Sequence, residues 1–380
     1  MEKQKYYFGG SALIDFQREL HTLAPKTIFL LRGKKSYELC GAKKVIEEIC
    51  AIERIKVVEW YEFEENPKIE DAKHGVSLLQ ESGADVIVAC GGGSVLDMAK
   101  LVRFASSYKG DLTKASFEKT NELIPLFAIP TTAGTGCEAT PFAVCYKDRI
   151  KYSVEHKDMF PNFAIVYPPF TFENSAKLTA STGFDALAQA IESYWNKNST
   201  PEADCYALKA IELIYPNLPK AVLCNDITTR ACLSQGAYFA GKAIAITKTT
   251  APHAFSYAFT TYCGYAHGHA VALTFPFFLW LNATQFHQCL QNGIDEDVYS
   301  KKMEKLLEML GMNAAAALNQ FETYINRIGL ICKGCNHENL DYLLSLVNLQ
   351  RLGNNPVKIT PEIVESLHKY LERVIAERQK

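Results

Sequence analysis

An α/β amino-terminal half built on a parallel sheet, followed by an all-helical carboxy-terminal half, is the fold class that the sequence predicts. Three observations predict it. In the first half short apolar runs alternate with helical repeats, and two of those runs end in glycine-rich polar loops. Beyond residue 172 the repeat is almost wholly 3.6 residues, which places the boundary there and gives domains 1–172 and 173–380.

The elements follow in order. "KTIFLLRG" (26–33) reads as a buried strand and "KSYELCGAKKVIEEICAI" (35–52) as a helix. "IKVVEWYEF" (55–63) is a second strand, "IEDAKHGVSLLQESG" (69–83) a second helix closed by Gly83, and "ADVIVACGGG" (84–93) a third strand running into glycines. "SVLDMAKLVRFASSY" (94–108) is helical, and "LIPLFAIPTTAGTG" (123–136) is a strand running into a second polar glycine loop. Continuous apolar strands between helices imply a parallel sheet covered on both faces. After the proline-punctuated stretch 166–183, helical spacing marks 184–195, 201–218, 226–244, 300–310, 313–329 and 360–379.

Composition excludes several classes. Hydrophobic residues make up 48% and charged residues 22% of the 380, as in a globular protein. A net charge of −2 offers no field for nucleic acid or an anionic membrane. No apolar run reaches the ~18 residues of a membrane span. The twelve cysteines are scattered and no signal-type segment leads the chain, so a cytoplasmic protein with reduced thiols is expected. Cys332 and Cys335 have zinc-like spacing with His337 nearby, but no second pair completes a site, and the segment reads as a loop with incidental thiols.

The glycine loops carry the first chemistry. Gly91, Gly92 and Gly93 let backbone approach a ligand, and the helix opened by Ser94 directs free N–H groups and a positive dipole end at it. That suits a pyrophosphate. The spacing is neither G-x-G-x-x-G nor a Walker loop. Thr131, Thr132 and Thr135, with Gly134 and Gly136, offer hydroxyls and backbone at another strand end. Two such loops define a crevice along the carboxyl edge of the sheet.

Two histidines raise a second question. His253 and His267 stand in small and aromatic surroundings, and a buried histidine requires a partner. A metal is one possible partner; separately, Asp185 and Gln189 are four apart and share one face of a predicted helix. "GGGSVLDMAK", "IPTTAGTGCEAT", "STGFDALAQAIESY" and "PHA…HGHAVAL", in this order, resemble the iron-containing (group III) alcohol dehydrogenase family across nearly the whole chain. The resemblance implies a dinucleotide-binding α/β domain, a helical domain (the dehydroquinate synthase-like fold) and a divalent metal. It makes Asp185, Gln189, His253 and His267 the ligands. The family normally carries histidine where this chain has Gln189. A shell of one aspartate, one glutamine and two histidines suits Fe²⁺ first, with Zn²⁺ or Mn²⁺ also acceptable. His269 is left as a supporting residue.

The resemblance also implies that Asn66, Lys151 and Leu178 contact the cofactor, and Asp97 is counted with Gly92, Gly93 and Ser94 in the nucleotide site. After the first strand, Gly33, Lys34, Lys35 and Ser36 stand where an NAD enzyme places an acid. Cations and a hydroxyl there favour a 2′-phosphate, so NADP is expected over NAD. Lys248, five residues before His253, with Thr249 and Thr250, suits an anionic substrate group, and Tyr257 is a candidate proton relay. The wording of this stretch is closest to the phosphonoacetaldehyde reductase branch. The expected function is metal-dependent reduction of a small anionic aldehyde by a homodimer or larger assembly. A general short-chain alcohol or aldehyde dehydrogenase, a metal-dependent lyase on the same fold, and a non-catalytic binding protein remain open.

Overall fold

The computed structural model describes residues 4–376 apart from 115, 149, 331–338 and 348, so Cys332, Cys335 and His337 lie outside the described residues. Two compact units are present. The first comprises the chain up to Asn174 together with Asp226–Tyr238, and the second comprises Ser175–Asn225 and the chain from Phe239. The segment Asp226–Tyr238 thus groups with the α/β unit although its sequence is helical, and the units are not two simple halves.

The first unit is built on six strands: β1 (Lys5–Phe8), β2 (Thr27–Arg32), β3 (Lys56–Trp60), β4 (Val86–Gly91), β5 (Leu126–Pro130) and β6 (Phe163–Val166). Their order across the sheet is β1-β6-β5-β4-β2-β3, and every pairing is parallel. Alternation along the strands divides the core. Phe29, Leu31, Ile87 and Ala89 face one side with Leu96, Met98 and Val102. Ile28, Leu30, Val86 and Val88 face the other with Phe16, Leu20 and Ile46. From β2 the chain moves outward to β3, and from β4 it moves the opposite way to β5. The carboxyl ends of β2 and β4 therefore flank a topological switch point, where ligands enter open α/β sheets.

β1 and β6 escape the periodicity argument because each has four residues, too few to display a repeat. Long-range pairing creates them, with Tyr6 opposite Ala164. The helix expected over 35–52 is two pieces, Ser36–Leu39 and Ala42–Ile52, broken at Gly41 with φ +81°.

The second unit is helical, and no strand occurs in it among the described residues. Three helices carry the candidate site. With α1 kept for Gly93–Ser107 of the first unit, they are α2 (Ala176–Trp195), α3 (Ala251–Cys263) and α4 (His267–Thr284). α2 starts eight residues before the expected 184 because Ser175 caps it, its hydroxyl accepting the Leu178 N–H at 3.2 Å. Gly183, expected in the proline-punctuated stretch before the helix, lies inside it: a Cβ there would come within 2.5 Å of Leu218 Cδ1. α4 is apolar on all sides and packs Phe275 against Phe184 and Trp195, with Phe278 against Phe255. No helix among the described residues is long and apolar enough to cross a membrane.

Candidate metal centre and nucleotide loops

The metal-site candidates converge in the second unit. On α2, Asp185, Gln189 and Glu192 follow at intervals of four and three, so they share one face, and all three are buried. α3 begins Ala251-Pro252, where proline costs no helical hydrogen bond, and presents His253 in its first turn. α4 begins at His267 itself. Potential ligand atoms of Asp185, His253 and His267 all lie within 4.8 Å of one another, the only such group among the described residues. His253 Nε2 is 3.1 Å from Asp185 Oδ1, and the two imidazole rings stand 5.4 Å apart.

Gly268 makes this convergence possible. A Cβ at that position would lie 1.9 Å from the Ser181 carbonyl oxygen and 2.9 Å from Asp185 Cβ. Only glycine lets the first turn of α4 approach α2 so closely. A glycine between two histidines was the available signal, and sequence reasoning did not use it.

Glu192 was also missed. It is fully buried, and its Oε1 accepts from the His253 backbone N–H at 3.2 Å and from the Thr250 hydroxyl at 3.0 Å. Trp195 Nε1 donates to that hydroxyl at 3.0 Å, and Glu192 Oε2 bonds His253 Nδ1. Burial alone would depress the His253 pKa. The Glu192 and Asp185 carboxylates outweigh it and raise the imidazole to about 10.

The donor set fits a divalent metal. Gln189 Oε1 is buried with no hydrogen-bond partner, on the face that carries Asp185. A lone buried carbonyl oxygen on the helix face that carries the cluster's carboxylate is the vacant acceptor that a cation would satisfy. Tyr257 stacks its ring on His267 at 6.0 Å. His269 is turned elsewhere: its backbone N–H meets the Ser181 hydroxyl and its ring packs on Tyr265. Lys248 adopts φ +66° at the end of the helix Ile227–Thr247, and its Nζ reaches back to the Ala245 carbonyl at 3.5 Å.

In the first unit the two glycine loops meet. A Cβ on Gly93 would strike Thr135 at 2.8 Å, and the Thr131 N–H donates to the Gly91 carbonyl at 2.9 Å. Gly92 is the N-cap of α1, so the free N–H groups of that helix open beside Thr132 and Thr135. Asn66 joins them. Its left-handed φ of +60°, which asparagine tolerates, places its N–H on Ser94 Oγ at 3.3 Å. Asp97 Oδ2 accepts from the Val144 N–H at 3.0 Å, tying α1 to the hairpin strand Phe142–Lys147. Lys151 lies on the partner strand Ile150–Glu155, half-buried, and Leu178 in the second unit is 40% exposed.

Lys34, Lys35 and Ser36 are exposed beyond β2. The two lysines line an open cavity of about 550 Å³ with Arg32, Glu38, Leu39 and Tyr61. Arg32 opens the same loop. Its Nε pairs with Glu59 Oε2 at 2.7 Å, and its guanidinium stacks 3.7 Å from the Tyr61 ring.

Comparison with known proteins decides the family. The model described as "Iron-containing alcohol dehydrogenase" matches residues 3–168, and that of the "Fe-containing alcohol dehydrogenase family, C-terminal" matches residues 179–370. The chain belongs to the iron-containing alcohol dehydrogenase family. Long-chain-alcohol dehydrogenase 1 of Geobacillus thermodenitrificans is 31% identical over 66% of the chain and 61% of that protein. Phosphonoacetaldehyde reductase of Streptomyces viridochromogenes is 32% identical over 66% of the chain and 67% of that protein. The chain thus spans about three fifths to two thirds of the length of these curated relatives. Among solved structures, the sulfoacetaldehyde reductase of Bifidobacterium kashiwanohense, in complex with NAD⁺, superposes with a TM-score of 0.85 at 26% identity over 97% of this chain and 96% of that one.

Proposed function

We propose that the protein reduces a small aldehyde bearing an anionic group, using NADPH and a divalent metal, most favourably Fe²⁺. The observation that carries the reading is the meeting of Asp185, His253 and His267 within 4.8 Å, with the unsatisfied Gln189 carbonyl on the helix face that carries Asp185. These four residues would hold the metal. When bound, the metal supplies Lewis-acid polarisation of a carbonyl oxygen and the reduced nicotinamide supplies a hydride.

The chain's own residues do the rest. Burial of Asp185, Gln189 and His253 excludes water, so electrostatic interactions there are strong. Tyr257, stacked on His267, offers a hydroxyl to hand a proton to the product oxygen. Gly92, Gly93 and the Thr131–Thr135 loop receive the pyrophosphate at the start of α1. Two features support NADPH. Lys34 and Lys35 border the cavity beyond β2, and the acid near it at the end of β3, Glu59, is neutralised by Arg32.

The substrate class is supported by two relatives whose names specify two-carbon aldehydes with a phosphonate or a sulfonate. Lys248 is the cation assigned to that anion, reached by turning its flexible stem away from Ala245. The test compares phosphonoacetaldehyde with butyraldehyde, following NADPH oxidation by metal-loaded protein. The anionic aldehyde should win by about tenfold or more in kcat/KM, the worth of one charge-assisted contact. Lys248→Ala should erase most of that gap and leave butyraldehyde reduction nearly unchanged. Equal slowing of both substrates would refute the anion site.

A further inference from the structure

We infer that Glu192 is a positioning residue of the metal centre: its carboxylate fixes His253 in the ring orientation and tautomer that leave Nε2 free to ligate. The inference rests on the metal-dependent reading above. Glu192 meets the ligand cluster at His253. What it holds is the imidazole, at two points. Oε1 accepts the His253 backbone N–H at 3.2 Å, and Oε2 meets Nδ1 of the ring.

A carboxylate accepts and does not donate, so Nδ1 carries the hydrogen. Nε2 is then the ring atom left to the cluster: it faces Asp185 Oδ1 at 3.1 Å and gives up its hydrogen when a cation takes that place. The carboxylate cannot rotate away. Oε1 also takes the Thr250 hydroxyl at 3.0 Å, and Trp195 Nε1 holds that hydroxyl in turn at 3.0 Å. Glu192 is fully buried, with no water to compete for either oxygen. A carboxylate behind a ligating imidazole orients the ring and raises its donor strength.

Glu192→Gln tests this on chemistry rather than shape. The Oε1 position already receives two donors, so the amide places its oxygen there and turns its NH₂ toward Nδ1. That NH₂ donates, Nδ1 must accept, and the ring hydrogen moves to Nε2, where it blocks ligation. Glu192→Asp is the smaller, worse-fitting residue, but it remains a pure acceptor. Zn²⁺ affinity is measured on the full chain by competition with a chelating dye, with NADPH binding as the control for folding.

Glu192→Gln should weaken Zn²⁺ binding by about ten- to a hundred-fold. Glu192→Asp should retain more affinity than Glu192→Gln, with NADPH binding unchanged in both. A packing role alone would reverse that order, since glutamine matches the native shape, and the reversed order would overturn the inference. So would wild-type affinity in Glu192→Gln alongside its loss in His253→Ala. If Glu192→Gln does not fold, Thr250→Val removes the hydroxyl that fixes the carboxylate and should weaken Zn²⁺ several-fold; unchanged affinity in that variant would overturn the inference. If the wild-type protein binds no Zn²⁺, Fe²⁺ or Mn²⁺, the metal-dependent reading itself fails, an outcome distinct from those above.

Discussion

Replacing His253 by alanine should cost stability as well as metal, whereas replacing His267 should cost metal alone. His253 lies between two buried carboxylates, Asp185 at 3% exposure and Glu192 at 0%, and it bonds both. Without the imidazole, each of these buried acids loses the charged partner that His253 gives it. Removing one partner of a buried ionic pair costs roughly 3–5 kcal/mol. Proton uptake by one carboxylate relieves part of this, and the Thr250 hydroxyl still satisfies Glu192 Oε1, so a value of about 3 kcal/mol is expected. For a domain of 150–250 residues that corresponds to a melting shift of about 6–12 °C. His267 is half-buried at the first position of α4, where a helix requires little of a side chain, and His267→Ala should stay within about 1 kcal/mol of wild type. The assay is thermal unfolding of chelator-treated protein by circular dichroism, followed by metal analysis after reloading. Equal melting of His253→Ala and wild type would refute the counter-charge argument, as would equal destabilisation by both substitutions.

Gln189→His should tighten Zn²⁺ several-fold, because an imidazole is a better donor than an amide carbonyl; weaker binding would show that the site's geometry is fitted to the amide. Lys34→Asp should reverse a preference for NADPH over NADH of about tenfold or more, measured as kcat/KM with each cofactor, and an unchanged ratio would remove Lys34 from the selectivity argument. Burial pushes Glu138, in the second glycine loop, up to about 7. Its folded-state pKa is raised, so the favourable neutral form is complete below the ordinary value of 4.5 and lost as pH rises through 7. In urea unfolding, wild type should therefore lose roughly 3 kcal/mol relative to Glu138→Gln between pH 4.5 and 8, and a constant difference across that range would contradict the assignment.

Local pattern carried much of the architecture. β2, β4 and β5 were legible because each is an apolar run bounded by glycine, proline or polar residues, and a strand buried on both faces must be apolar throughout. The two glycine loops were legible because close backbone approach demands glycine, as the contact between Gly93 and Thr135 shows. Asp185 and Gln189 could be placed on one face from helical spacing alone, and the motifs carried His253 and His267 beside them.

Tertiary structure decided what spacing cannot encode. β1 and β6 exist only through pairing with distant partners, since four residues hold no periodic signal. The start of α2 at Ala176 depends on the Ser175 cap and on packing that requires Gly183 inside the helix. Glu192 reads in sequence as one more charge on a helix, and its bond to His253 spans sixty-one positions. Gly268 gains its meaning from Ser181 on another helix, and Glu59 gains its counter-charge from Arg32 on the adjacent strand. A residue's type and local period state which environments it tolerates. Which neighbour neutralises, orients or admits it is set by contacts between segments far apart in the chain.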